Sequence, residues 1–188
     1  MFTPFRGYFS HMSILIAMAI PPGITTENWE AWLEHFRAGR ELNHAFDRRL
    51  QTDAGISHPE YLVLYVLAGI EDHKLRTGEL ADTLAWEKSR LSHQVTRMVA
   101  RGLVQRTTVE TDGRGVWVSL TEHGKATLDA ATTDHMQAIQ TWFFGVLTDE
   151  ELAVIRVASH KMREKLLADG AVPRRPRDNS QLPWTTAG

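Results

Sequence analysis

The chain has 188 residues, 43% of them hydrophobic and 23% charged, with a formal net charge of −2. That is enough for one substantial core, and the near-neutral charge excludes a nonspecific nucleic-acid coat while leaving room for a local basic face. There is no cysteine, which excludes disulfide stapling, thiolate metal sites and any switch based on thiol oxidation.

Residues 1–23 read as a flexible leader, with a docking strand or helix as the alternative. The segment holds one arginine and an apolar run, Ser13 to Ile20, too short to span a bilayer and without a small-residue cleavage site, and it closes on Pro21-Pro22-Gly23. A cytoplasmic location without membrane contact is the expectation. From Thr26 to about Leu50 the apolar positions Trp29, Leu33, Phe36, Phe46 and Leu50 recur at helical spacing, interrupted by Gly39 and Arg40. Ser57-His58-Pro59-Glu60 has the form of a capping box, opening an apolar helix through Tyr61, Leu62, Leu64, Tyr65 and Leu67 that is dense enough to be central and buried.

Two short amphipathic helices follow. The first runs from Thr77 to Ala85 with Leu80, Ala81 and Leu84 on one face. The second runs from Glu87 to Leu103 with Leu91, Val95 and Met98 on its apolar face and Gly102 as its stop. Lys88, Ser89, Arg90, Ser92, His93, Gln94 and Arg97 are expected on the opposite face, and these side-chain types donate to base edges and phosphate oxygens. Next come V-Q-R-T-T-V-E and V-W-V-S-L, alternating strands around a D-G-R-G turn in which Asp112, Gly113 and Gly115 shape the bend and Arg114 is carried at the tip. This order of elements is that of a winged helix-turn-helix, with the helix in the major groove and Arg114 in the adjoining minor groove. Between Trp86 and Val118 six basic residues (Lys88, Arg90, Arg97, Arg101, Arg106, Arg114) face three acidic ones (Glu87, Glu110, Asp112), a local balance of 6 − 3 = +3.

Thr121 caps a long helix whose stripe runs through Leu128, Ala131, His135, Ile139, Trp142, Phe143 and Val146. Thr148-Asp149-Glu150-Glu151 is a second capping box, starting a last helix striped by Leu152, Ile155, Ala158, Met162 and Leu166. These two helices are expected to pair antiparallel, with enough apolar surface left over to call for a two-fold partner. Residues 171–188, with three prolines and no helical period, read as a flexible tail, and its Arg174, Arg175 and Arg177 either touch phosphates or stay solvated.

The recognition-helix run E-K-S-R-L-S-H-Q-V-T-R-M-V-A-R-G-L-V, the D-G-R of the wing and L-T-E-H-G from Leu120 to Gly124 together resemble the MarR family of bacterial transcriptional regulators. A looser likeness extends from about Asn28 to Leu167. Two departures are Ala85, where members often have glycine, and Gln94, where they often have an apolar residue. The resemblance implies a mainly α fold with a small β-wing, in one domain over 24–170. A winged helix-turn-helix lobe would span about 57–120, and dimerisation helices about 26–52 and 121–169. It implies a homodimer on double-stranded DNA and a small aromatic effector, for which Trp32, Phe36, Tyr61 and Tyr65 are candidate contacts, with a place in the core as the first reading of each.

Other chemistry finds little footing. No H-x-x-x-H pair occurs, so His35, His44, Glu34, Glu41 and His135 form a metal site only if the fold gathers them, and no metal or other cofactor is expected. No Ser-His-Asp arrangement, phosphate loop or paired carboxylates has supporting context, so no enzyme is expected. The rival readings are a winged-helix interaction module that does not act through DNA, and a metal-responsive regulator.

Overall fold

The computed structural model describes residues 20–108 and 115–172, and its chain divides into two compact units, residues 1–44 and 45–188. Helix α1 (Thr26–Ala54) begins in the first unit and ends in the second. It is unbroken through Gly39 and Arg40, because isolated glycine lowers helix propensity by only about 1 kcal/mol. Within the first unit Trp29 and Leu33 are half-buried, whereas Trp32 and Phe36 stay exposed and stack on each other at 5.7 Å.

The second unit holds the core. Helix α2 (His58–Ala68) is buried through Tyr61, Val63, Leu64, Val66 and Leu67, as its apolar density predicts. Its capping box is formed: Glu60 N donates to Ser57 Oγ at 3.3 Å and Ser57 N donates to Glu60 Oε2 at 2.8 Å. Strand β1 (Lys74–Arg76) leads directly into α3 (Thr77–Leu84), then α4 (Lys88–Ala100), β2 (Val104–Thr108) and β3 (Val116–Leu120). The sheet is antiparallel in the order β1-β3-β2, with Leu75 and Arg106 both opposite Val118. Leu80, Leu91, Val95, Met98 and Val118 close the core over α2 and Leu128.

The turn from α3 to α4 passes through Ala85 in the left-handed region (φ 54°), with Trp86 N–H donating to the Ala81 carbonyl at 2.9 Å. Glycine takes this conformation without the Cβ penalty, which is the physical reason for the glycine that the family resemblance leads one to expect here. Gly102 (φ 69°) stops α4 as expected.

Helix α5 (Glu122–Trp142) starts under the Thr121 cap, whose Oγ1 accepts from Gly124 N at 2.9 Å, and ends before a 3-10 turn at Phe144–Val146. Helix α6 (Asp149–Ala168) opens on the expected second capping box. One expectation is corrected here. Helix α6 does not lie along α5 as an antiparallel pair, and none of its residues is buried. Among the described residues its apolar stripe stays uncovered.

Candidate nucleic-acid interface

The recognition helix α4 turns Leu91, Val95 and Met98 into the core and leaves Lys88, Ser89, Arg90, Ser92, His93 and Arg97 exposed. Gln94 departs from the expected arrangement. It is 5% exposed, because position 94 lies three residues after Leu91 and four before Met98 and so falls within the apolar stripe. Its spacing from Leu91 and Met98 is the signal in the sequence. A buried amide needs a partner, and the Gln94 Oε1 accepts from Arg97 Nη2. Gln94 therefore anchors an arginine from behind instead of standing on the exposed face. Thr96, absent from the expected set, is exposed on that face, its hydroxyl bonded to the Ser92 carbonyl at 2.8 Å.

The arginines of this region divide by the kind of group that holds them. Arg90 lies over the Trp86 ring, guanidinium carbon to centroid 4.5 Å, and Arg106 Nη2 donates to the Ser92 carbonyl at 2.8 Å. With Arg97 on Gln94, these three are fixed by neutral partners and keep their full charge. Arg101 differs. Its Nη1 donates to Glu60 Oε1 at 2.7 Å and its Nη2 to the Gly55 carbonyl at 2.8 Å, so it ties the end of α4 to the start of α2 and its charge is spent inside the body. The +3 balance read from the sequence thus overcounts the available face by one arginine.

A groove between the start of α3, α4 and the base of the wing is lined by Arg76 and Arg106, by the carboxylates Glu79 and Asp82, and by Ser92 and Gly115 among others. Thr77 Oγ1 donates to the Val116 carbonyl at 3.0 Å, locking α3 to the wing's base. Gly115 is half-buried at that base, whereas Asp112, Gly113 and Arg114 lie outside the described residues.

The candidate effector contacts fall in separate settings. Trp32 and Phe36 stand 50% and 60% exposed in the first unit. In the second, Tyr61 is core and stacks on the half-buried Tyr65 at 5.7 Å. Tyr61 also meets the buried His135 ring at 4.3 Å, with Phe46 edge-on to His135 at 5.0 Å and His58 at 5.6 Å. Among the described residues the His135 Nδ1 has no hydrogen-bond partner. Burial, and then the neighbouring His58, lower the His135 pKa to about 4. Burial also lowers that of His58, against the opposing pull of Asp47. Both rings bind protons more readily unfolded than folded, so stability is fully present above pH 6.5 and is lost as pH falls toward 4. His135 is expected to contribute at most about 3 kcal/mol to that loss. Urea unfolding at either end of this window checks it, and His135→Phe should flatten the dependence. Among the described residues no group of three or more His, Asp or Glu is placed to hold a metal.

A family model described as MarR family matches residues 54–115, from the end of α1 to the base of the wing. AbsC, a MarR family transcriptional regulator from Streptomyces coelicolor, is 32% identical and superposes with a TM-score of 0.74 over 79% of this chain and 99% of its own. The chain belongs to the MarR family. Sco3205, a MarR family regulator from the same organism solved in complex with DNA, is 31% identical with a TM-score of 0.71, covering 85% of this chain and 97% of that one. The transcriptional repressor YetL of Bacillus subtilis is 26% identical over 110 residues, 58% of this chain and 65% of YetL. The chain spans just under two thirds of the length of the curated relatives it matches. MarR family members are transcriptional regulators and not enzymes, and the mainly helical fold with a three-stranded wing is the MarR winged helix. No helix among the described residues is long and apolar enough to cross a membrane.

Proposed function

We propose that the chain acts as a cytoplasmic, homodimeric, sequence-specific repressor whose two α4 helices enter successive major grooves of a pseudo-palindromic operator. The observation that carries this reading is the exposed row Lys88, Arg90, His93 and Arg97 on α4, with three arginines of the region held by neutral groups that leave their charge available. The complex of Sco3205 with DNA supports DNA as the partner, and YetL supports repression. Arg114, at the wing tip in the sequence, is assigned to the minor groove and Asp112 to shaping that turn.

Dimerisation is proposed on what α5 and α6 leave uncovered. Val154, Ile155, Val157, Met162 and Leu166 are exposed along α6, and a two-fold copy of the same helices is the simplest surface to match them. In this reading residues 57–120 form the DNA lobe, and 26–52 with 121–169 the dimerisation helices. A small aromatic effector is the proposed signal. It acts only if it binds the DNA-incompetent form more tightly, and a thermal-shift screen with and without operator detects that difference.

Binding to duplexes selected from a random-sequence library, read by fluorescence anisotropy, tests the core of the proposal. The expected result is enrichment of inverted half-sites about one turn, ~10 to 10.5 bp, apart. Log affinity is expected to fall by about 0.9 per neutralised phosphate per decade of salt. Arg90→Ala is expected to weaken the selected duplex by about 1 to 3 kcal/mol and to relax base choice at one position per half-site. A chain that enriches no sequence, or binds with a flat salt response, overturns the reading.

A further inference from the structure

We propose that Trp86 is a positioning residue for DNA readout: its indole face holds the Arg90 guanidinium in a pre-set orientation on the recognition helix. This rests on the DNA-binding reading and assigns a role to a residue outside the exposed face of α4.

Trp86 lies in the turn immediately before α4. Its backbone N–H is bonded to the Ala81 carbonyl at 2.9 Å, and its half-buried side chain packs against core residues. The ring is therefore fixed by the body of the domain, and Arg90, exposed and four residues further on, is the partner with freedom to move. Their separation of 4.5 Å from guanidinium carbon to ring centroid is within the reach of a cation over an aromatic face. Among the described residues Arg90 has no carboxylate partner.

The chemistry of that choice is specific. A carboxylate would fix Arg90 by consuming its N–H donors and cancelling its charge, as Glu60 does for Arg101. An aromatic face engages the flat side of the guanidinium and leaves its N–H edge free, the edge that makes paired hydrogen bonds to guanine. Holding a long side chain in one orientation before binding reduces the rotamer entropy lost when the contact forms. Lys74 and Arg76 lie over Trp117 at 5.6 and 5.4 Å in the same lobe, but on the sheet and not on the recognition helix.

The experiment is a double-mutant cycle read against the duplex that the unaltered protein selects and a scrambled duplex of the same composition. Trp86→Leu is expected to weaken the selected duplex about tenfold, with the scrambled duplex little changed. In an Arg90→Ala background the same substitution is expected to cost less than about twofold, because no guanidinium remains to be held. Trp86→Tyr should restore most of the affinity and Trp86→Phe less, following the strength of the ring's attraction for a cation. That series carries the test if Trp86→Leu does not fold. Equal losses with and without Arg90, or a series at position 86 that leaves affinity flat, would overturn the positioning role while leaving DNA binding intact. If the unaltered protein selects no duplex, the regulatory reading itself fails, and this inference with it.

Discussion

Gly124→Ala is expected to destabilise the protein by at least about 3 kcal/mol, the largest effect of any single methyl addition at a glycine in the described residues. Gly124 is the third residue of α5, and a Cβ there would stand 1.9 Å from the Leu103 carbonyl oxygen and 2.9 Å from its carbon. Neither side has room to retreat. Leu103 is buried, its N–H is bonded to the Met98 carbonyl at 3.0 Å, and its oxygen accepts from the Thr121 hydroxyl at 3.0 Å. The added methyl must lift the start of α5 away from β2 and break the Thr121 cap. Alanine's better helix propensity returns only about 1 kcal/mol. Thermal unfolding should show a fall of roughly 6 to 12 °C. Gly39→Ala, where the added Cβ meets nothing within 4 Å, is the control and should be neutral or slightly stabilising. An unchanged midpoint for Gly124→Ala would mean that the close approach of α5 to Leu103 is not the packing in solution.

Glu60→Ala comes next, at about 3 kcal/mol. One buried carboxylate serves three donors: Ser57 N at 2.8 Å, Ser57 Oγ at 2.9 Å and Arg101 Nη1 at 2.7 Å. Removing it opens the cap of α2 and unties the end of the recognition helix in one step. The cost sits at the low end for a buried pair because Arg101 is 44% exposed and regains water. Glu60→Gln, which keeps an acceptor for Ser57 but not the charge, should lose less. Urea unfolding with an unchanged slope would assign the loss to stability. A cycle with Arg101→Met separates the cap from the ion pair. If Glu60→Ala leaves stability within about 0.5 kcal/mol of the parent, the bridge from α2 to α4 carries no weight.

Much of this architecture was legible in the sequence because local rules and tertiary packing agree. The Ser57, Thr121 and Thr148 caps, the Gly102 stop and the apolar stripe of α4 each have a short-range cause. Strand β1 escaped notice, since three residues, Lys74–Arg76, carry no alternation and owe their strand conformation to pairing with β3 some forty positions away. Gln94 was misplaced because its polarity outweighed its spacing, although its distance from Leu91 and Met98 put it on the buried side. Arg101 looked like its neighbours on α4, and only the fold brings Glu60 to it. The grip of Trp86 on Arg90 is written as a spacing of four, but its meaning depends on which residue of the pair the core holds still.

The sheet order has a further consequence. Strands β1 and β2, the segments that enter and leave the α3–α4 pair, both hydrogen-bond to the single strand β3. The reading head is thus clasped at its two ends by one backbone and cannot swivel without tearing that clasp. In the DNA-binding reading proposed above, an effector would have to carry the head to a new place whole, leaving its letters unaltered.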